Sequence, residues 1–413
     1  MKARLIVMTF SATALFSAHG QLVLPDAITI EKPSNAVAAG AAAFSGAWLG
    51  AWGSELPTAL IVEQIHSNDM AMVMYAWGDL PMDAIKADWS RQAGSVSNGK
   101  LRLISEYSQI DFTLEPDGAM QGRYQGASDR KDAWPAFVVL HRVPFTNVLS
   151  LRETVRKTFP IWQEVRIPVH SQVGPTKGKT LWLQTTVFHQ SIPGKHPVVI
   201  VNHGSTGPGI VPASFVFRGG NDVEFFRSLG YVVVAPMRKG RGQSEGPNVE
   251  EDSSIPVTNT LESAIEDLHA VVDYVSRQSD MDPARIVLAG ASRGGLLSVA
   301  YAGRYPTNIV GVINFSGGWF GEGHPSQDFN FEAFRNAGRD ARIPMLWLYA
   351  DHDSVYSLKF DEREFSAFRD AGGRGEFVEF RDIPGEGHYL SQWVDRWQDK
   401  VQEYLAQRLN AGK

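Results

Sequence analysis

The distribution of apolar and polar positions divides the chain into two parts of different character. Between residues 44 and 143, short apolar-rich segments typical of strands alternate with turns, and Asn98-Gly99 and Asp117-Gly118 are good hairpin-turn signals. We therefore predict a small antiparallel β domain here, folded as a barrel-like meander or a sandwich. Its strands are predicted at 59–65, 70–77, 100–106, 109–114, 119–124 and 136–141. The spacing of Phe44, Trp48 and Trp52 fits a short helix as well as a strand.

From residue 144 to residue 413, apolar strands alternate regularly with helical patterns. A helical stretch at 145–163 precedes a strand hairpin, and further helices are predicted at 222–229, at 261–278 and after Gly294. The strands are predicted at 165–169, 180–188, 197–202, 231–235, 286–288, 310–315, 345–349 and 376–380. Strands that are apolar throughout indicate a mostly parallel sheet covered by helices on both faces. The predicted fold class is thus α/β, preceded by the antiparallel β domain.

The N-terminus has the order of a secretory signal. Lys2 and Arg4 precede an apolar run at 5–18, and Ala18-His19-Gly20 supplies small residues. This pattern predicts a signal peptide at 1–20, cleaved near Gly20, and export to the periplasm or the medium. Residues 21–43 then form a linker. A buried helix or a membrane anchor is the alternative, but the run is too short to span a bilayer well and no later segment is longer, so no stable membrane span is expected.

Composition excludes several classes of function. The 413 residues carry a formal net charge of −6 and no basic run, so nucleic acid is not an expected partner. The chain has no cysteine, which excludes disulfides, thiolate nucleophiles and cysteine-ligated metals. No HExxH, Walker loop or acidic cluster with metal spacing occurs, and we expect neither a cofactor nor a metal.

The strongest chemical motif is Gly290-Ala291-Ser292-Arg293-Gly294, which lies between a predicted strand and a predicted helix. A G-x-S-x-G elbow in this context presents a serine hydroxyl above the end of a sheet. The sharp turn admits only small residues at its flanks, and the N-terminus of the following helix favours developing negative charge. Ser292 is therefore the predicted nucleophile.

A nucleophilic serine requires a base and an acid that orients it. His388 follows the last predicted strand and a glycine-rich turn, and we predict that it is the general base. Asp353 is the preferred acid because a short turn should separate it from its strand, and Asp351 remains the alternative. The backbone N–H groups of Arg293 and Ser205 are expected to form the oxyanion hole.

Three aromatic residues are candidates for the substrate pocket. Trp319, Phe320 and Tyr356 lie just after predicted strands, where side chains often line a cleft. Ordinary packing beneath a loop would explain them equally well.

The last 250 residues resemble the dienelactone hydrolase and prolyl oligopeptidase branch of the α/β-hydrolase superfamily. The matching pieces are His203-Gly204, the segment RKGRGQSEG at 238–246, the elbow, Asp353 and Gly387-His388. The resemblance implies an α/β-hydrolase fold and an acyl-enzyme mechanism on esters or, in some relatives, on peptides. The founding lactonase of the family uses a cysteine, so Ser292 gives no basis for assigning that substrate. The first part of the chain does not look like the β-propeller of prolyl oligopeptidases.

These observations predict an exported serine hydrolase that cleaves carboxylic esters of small or polymer-derived substrates. An exported peptidase with the same three catalytic residues is one alternative. A catalytically silent protein whose β domain binds a cell-envelope ligand is another, and the complete set of catalytic residues argues against it.

Overall fold

The computed structural model describes residues 22–67, 69–80, 85–106, 108–126, 135–207, 216–217 and 220–410. These residues contain a closed antiparallel barrel followed by an eight-stranded mixed sheet. The predicted fold class, a small antiparallel β domain before a mostly parallel α/β sheet, is confirmed. The predicted signal peptide at 1–20 lies outside the described residues.

Eight antiparallel strands form the barrel. Each strand pairs with the next, and the first also pairs with the eighth, which closes the sheet. The strands are β1 Gly46–Trp52, β2 Leu56–Ile65, β3 Met70–Trp77, β4 Asp88–Ser97, β5 Lys100–Ile104, β6 Ser108–Leu114, β7 Met120–Gly126 and β8 Ala136–Val143.

Strand β1 shows how the barrel is filled. Trp48 and Trp52 point inward and pack with other apolar side chains such as Phe112, so the interior is a packed core. The alternate residues, Leu49 among them, point outward beneath helix α2 (Val148–Thr158). A short helix α1 (Ala39–Ala42) precedes β1; of the three aromatic residues for which a helix or a strand was predicted, Trp48 and Trp52 lie in this strand and Phe44 lies in the turn before it.

The second sheet follows the order β9-β10-β12-β11-β13-β14-β15-β16. The first hairpin and its pairing with β12 are antiparallel, and the remaining pairs are parallel, as predicted. The strands are β9 Gln163–His170, β10 Thr180–Phe188, β11 His196–Asn202, β12 Val232–Pro236, β13 Met281–Ala291, β14 Ile309–Phe315, β15 Met345–Ala350 and β16 Gly375–Phe380.

Helices cover both faces of this sheet. Val198 and Ile200 of β11 pack on one face and Val199 and Val201 on the other, which is the alternation expected of a doubly covered strand. The first face is covered by α4 Val257–Ser276, α5 Arg293–Arg304, α6 Asp328–Asp340 and α7 Leu358–Asp370. The second face is covered by α3 Asn221–Ser228 and α8 Val394–Asn410. In the part of the chain that the structure describes, no helix combines the length and apolar character that crossing a membrane requires.

The parallel strands end at one edge of the sheet. The loops that begin at His203, Ser292, Ser316, Asp351 and Arg381 all leave this edge. In sheets of this kind, ligands bind outside the carboxyl ends of the strands.

Candidate active site

Ser292 occupies a sharp turn between β13 and α5. Its φ of 54° and ψ of −125° lie in a region that side chains other than glycine rarely adopt. The turn depends on its two flanking glycines. A Cβ at Gly290 would lie 2.3 Å from the carbonyl oxygen of Gly294, and one at Gly294 would lie 2.0 Å from that of Asn202.

Neighbouring strands hold this turn in place. The Ser292 N–H donates to the carbonyl of Phe315 at 3.0 Å, and its own carbonyl accepts from Gly318 at 3.1 Å. On the other side, a Cβ at Gly204 would lie 3.2 Å from Ser292 Cβ and 3.9 Å from its Oγ. The serine therefore lies where the loops after β11, β13 and β14 meet.

His388 and Asp353 come together on the loops that follow β16 and β15, at the same edge of the sheet. The Nδ1 atom of His388 lies 3.0 Å from Asp353 Oδ2, and their side chains are 15% and 1% exposed. The other carboxylate oxygen, Oδ1, accepts from the amides of Val355 at 2.7 Å and Tyr356 at 3.0 Å. The carboxylate is thus fully hydrogen-bonded and oriented toward the imidazole.

Asp351 is bonded elsewhere. Its Oδ2 accepts from the Asp382 amide at 3.1 Å, and its Oδ1 lies 3.5 Å from His352 Nδ1. Of the two aspartates considered from the sequence, Asp353 is the one that contacts His388.

Glu386 links the histidine loop to the aspartate loop. Its Oε1 accepts from the amides of Ser354 at 2.8 Å and His388 at 3.2 Å. Burial acts to raise the pKa of Glu386, but these hydrogen bonds outweigh it and lower the pKa. The sequence offered no signal for this residue beyond its place next to the glycine turn.

The loop after β11 also lies close to Ser292, at Gly204. The Gly204 carbonyl accepts from His203 Nδ1 at 2.8 Å and from the Arg238 guanidinium at 3.0 Å. The second ring nitrogen of His203 accepts from the Arg238 amide at 3.2 Å. Burial, with the nearby Arg238 and Arg241, lowers the pKa of His203 well below its ordinary value, so the ring is neutral and fixed in one tautomer.

A buried group of charges anchors this loop. Glu250 pairs with Arg238, with Arg241 at 2.8 Å and with Arg293 at 3.6 Å. Burial opposes the negative charge of Glu250, but the three arginines hold its pKa far below the ordinary range. Glu251 accepts from the Ser205 hydroxyl at 3.1 Å and pairs with Arg293. The segment 238–246 was part of the family resemblance, but no sequence pattern indicated a role for Glu250 or Glu251.

The three aromatic candidates occupy different environments. Tyr356 is 2% exposed, and its ring centroid lies 5.5 Å from that of His388. Trp319 is also 2% exposed and packs in the core, with the Arg293 guanidinium 5.6 Å from its ring. Phe320 stacks on His324 at 4.4 Å. Only Tyr356 of the three contacts the His388 ring.

Tyr356 also connects the histidine to the nucleophile turn. A Cβ at Gly318 would lie 2.4 Å from the Tyr356 hydroxyl, and Gly318 donates to the Ser292 carbonyl. Across the described ranges, no three His, Asp or Glu side chains come together in a way that could hold a metal ion.

Comparisons with known proteins bear on the class of this site. The family model described as "Serine aminopeptidase, S33" matches residues 218–412. A "Probable carboxylesterase SOBER1-like" of Arabidopsis thaliana is 27% identical over 209 residues, which cover 47% of this chain and 74% of the relative. Carboxylesterase SOBER1 of the same plant is 25% identical over 152 residues, which cover 35% of this chain and 61% of the relative. The solved esterase Pf2001 of Pyrococcus furiosus superposes with a TM-score of 0.44 and 16% identity, covering 60% of this chain and 90% of that one.

The doubly covered sheet, the serine elbow after β13 and the family match define the class of protein. The chain has the sheet and helix arrangement of the α/β-hydrolases that it resembles, and its enzyme class is that of the serine hydrolases. The predicted family resemblance and enzyme class are thereby confirmed. The catalytic roles of the individual residues remain predictions.

Proposed function

We propose that this protein hydrolyses carboxylic esters through an acyl-enzyme intermediate on Ser292. The observation that carries the proposal is the convergence of the strained Ser292 turn and the His388–Asp353 pair at one edge of the sheet. The similarity to proteins named carboxylesterases favours an ester as substrate. We infer that the substrate is a small or polymer-derived ester.

In the first half of the reaction, Ser292 Oγ attacks the carbonyl carbon while His388 Nε2 accepts the hydroxyl proton. Asp353 holds the imidazole through Nδ1 at 3.0 Å and stabilises its positive form. When the tetrahedral intermediate collapses, the bond to the alcohol oxygen breaks and His388 gives its proton to that oxygen. In the second half, water loses a proton to His388 and attacks the acyl carbon; the bond to Ser292 Oγ then breaks, His388 returns the proton to that oxygen, and the acid is released.

These reaction steps require His388 Nε2 to reach the Ser292 hydroxyl oxygen. Both residues are described, and the Ser292 hydroxyl and the His388 ring are not hydrogen-bonded to each other. Hydrogen bonds between catalytic groups are often long without substrate and tighten when it binds. A rotation of the serine side chain toward the imidazole is the step that substrate binding should favour.

We assign the stabilisation of the oxyanion in the tetrahedral intermediate to the backbone N–H groups of Ser205 and Arg293. The carbonyl of Gly204 is held by Arg238, and in a trans peptide the N–H of the next residue, Ser205, points the opposite way. The amide of Arg293 opens helix α5, where the helix dipole favours negative charge. Loss of one such donor typically lowers kcat by about 10²–10³-fold.

Export is a second part of the proposal. It rests on the order of charged, apolar and small residues at 1–20. Amino-terminal sequencing of the mature protein from the periplasmic or culture fraction is expected to begin near Gln21. A mature protein that begins at Met1 in the cytosol would contradict export and leave the catalytic proposal intact.

The catalytic proposal is tested by covalent labelling. Purified protein is treated with a fluorophosphonate probe and mapped by mass spectrometry beside Ser292→Ala. Labelling confined to the peptide that contains Ser292, and absent from the variant, is the expected result. A folded wild type that resists the probe would contradict an activated serine.

Cleavage of an amide is the second candidate, because the matched family model is described as a serine aminopeptidase. The same wild-type sample is assayed with p-nitrophenyl acyl esters and with aminoacyl p-nitroanilides. Higher kcat/KM on the esters supports the esterase. Higher kcat/KM on the anilides would make the protein a peptidase with the same catalytic residues.

A further inference from the structure

Asn221, the first residue of helix α3, lies where the barrel, the α/β sheet and the loop after β16 meet. It is 4% exposed, and all of its side-chain polar atoms are hydrogen-bonded. Its contacts extend in two directions. One set reaches the backbone of the barrel, and the other reaches the segment that carries His388.

The barrel contacts are made at the start of β8. The N–H of Phe137 donates to Asn221 Oδ1 at 3.0 Å, and Asn221 Nδ2 donates to the carbonyl of Pro135 at 2.9 Å. Because both partners are backbone groups of one extended segment, the amide side chain fixes the position of that segment relative to α3.

The second set of contacts reaches Gln392. Asn221 Nδ2 donates to the Gln392 carbonyl at 2.8 Å, and the Asn221 backbone N–H donates to Gln392 Oε1 at 3.0 Å. Gln392 is the last residue of the segment Gly387–Gln392, which consists of 3₁₀ turns joined by a kink at Tyr389 and in which His388 is the second residue. The far end of the histidine segment is therefore held by Asn221.

The fit at this junction is close. A Cβ at Gly220 would lie 2.3 Å from Gln392 Oε1, so the residue before Asn221 has no room for a side chain. Gln392 Nε2 lies 3.3 Å from Asp222 Oδ1, which adds a further bond between α3 and the same segment. The Gln392 end of the histidine segment cannot shift relative to α3 without breaking several of these bonds.

We propose that Asn221 is a positioning residue for His388, through which docking of the barrel sets the orientation of the general base. The inference rests on the proposed function, since it gives His388 the role of the base. The Asn221 side chain acts through Gln392 and not on substrate. The barrel then contributes to catalysis even though its interior is a packed core.

A second link between barrel and helix provides a matched control. The Ser54 hydroxyl donates to Glu224 Oε2 at 2.7 Å, and both residues are fully buried. Glu224 also accepts from the Val139 amide and from Arg227, so it keeps partners when Ser54 is changed. Ser54→Ala weakens barrel docking and leaves every bond of Asn221 and Gln392 in place.

The experiment measures the rate of fluorophosphonate labelling, together with kcat and KM on a p-nitrophenyl ester, for folded wild type, Asn221→Ala, Asn221→Asp and Ser54→Ala. Asn221→Asp keeps the acceptor for Phe137 and loses the donors to Pro135 and Gln392. If Asn221→Ala does not fold, Gln392→Met tests the same junction from the histidine side, because it removes the acceptor for the Asn221 backbone N–H and leaves only the bond from Asn221 Nδ2 to the Gln392 carbonyl. The pH dependence of labelling is recorded for each variant, because it reports the titration of the base.

We expect both Asn221 variants to be labelled about tenfold more slowly, since a displacement of about 1 Å in a catalytic group can cost up to 10²-fold. The loss should appear in kcat, with KM within about twofold of wild type, and the pH profile should change. Ser54→Ala should be within about twofold of wild type in both constants.

Two results would overturn the inference. One is wild-type labelling in the folded Asn221 and Gln392 variants. The other is an equal loss in Ser54→Ala, which would mean that any loosening of the barrel has the same effect. A wild-type protein that is not labelled would instead refute the proposed function, and the inference with it.

Discussion

Asp361 lies fully buried on α7, and replacing it with asparagine is expected to remove a large pH dependence of stability. Neither of its carboxylate oxygens has a hydrogen-bond partner among the described residues. Burial, reinforced by the charges of Glu364 and Asp353, raises the pKa of Asp361 to about 10. The group is therefore neutral in the folded protein at physiological pH.

The size of the effect follows from proton linkage. In the unfolded chain an aspartate loses its proton near pH 4. In the folded protein Asp361 keeps it up to about pH 10. The folded state binds more protons across this interval, so the free energy of unfolding falls as pH rises, by about 1.36 kcal/mol per pH unit. Between pH 5 and pH 8 the loss amounts to about 4 kcal/mol.

Asp361→Asn keeps the size and neutrality of the side chain and cannot titrate. The variant minus wild-type difference in the free energy of unfolding should therefore grow by about 4 kcal/mol from pH 5 to pH 8. Urea titrations at each pH, followed by tryptophan fluorescence, measure it. Glu362→Gln, at an exposed position on the same helix, is the control and should stay within about 0.5 kcal/mol of wild type.

A variant minus wild-type difference in the free energy of unfolding that stays constant between pH 5 and pH 8 would contradict this prediction. Such a result would mean that Asp361 is ionised in the folded protein. Part of the pH dependence should remain in the asparagine variant, because burial also raises the pKa of Glu364, and the difference between variant and wild type isolates the contribution of Asp361.

Three further substitutions, two of them with a control substitution, test the site. Asp353→Asn should lower kcat on an ester by about 10⁴-fold, the loss known when the orienting acid of such a triad is neutralised, whereas Asp351→Asn should lose less than about tenfold. Glu250→Gln leaves the buried Arg238 and Arg241 short of their counter-charge, whereas Arg293 keeps Glu251, and should cost about 3–5 kcal/mol in urea unfolding; an unchanged midpoint would contradict the ion-pair account. Gly294→Ala places a methyl group 2.0 Å from a backbone oxygen and should abolish labelling, whereas Gly40→Ala meets nothing within 4 Å and should be silent.

Much of the α/β sheet could be predicted because its strands are apolar on both faces. Strand β10 has the bounds expected from sequence, and the parallel strands after it lie where the apolar runs indicated. In the barrel, β3 was predicted equally well, because its apolar run ends at clear turn residues. The predicted turns at Asn98-Gly99 and Asp117-Gly118 join β4 to β5 and β6 to β7.

Two barrel strands show where sequence patterns fail. Strand β4 was missed because its centre, Ser90 to Gln92, is polar and mostly exposed or half-buried, so no apolar run marks it. Strand β1 was ambiguous because nearly all of its residues are buried. Its outward face lies under α2 and its inward face fills the barrel, and this removes the usual contrast between alternate positions.

The elbow and the order of acid and histidine could be read from sequence, because each follows directly from a strand end. The supporting contacts could not. Asn221 and Gln392 are 171 positions apart, and Arg238 meets Glu250 only because a loop turns back on the sheet. Such pairs depend on the packing of distant segments, and no local pattern indicates them.

Trapping the acyl-enzyme would establish whether Ser292 carries the acyl group during turnover. Wild-type protein is mixed with p-nitrophenyl acetate, quenched in acid within the first turnover and mapped by mass spectrometry, with Ser292→Ala alongside. We expect a burst of nitrophenol stoichiometric with enzyme and an acetyl group on the Ser292 peptide alone. Turnover of the ester by Ser292→Ala at the wild-type rate, or an acetyl group on another residue, would contradict it.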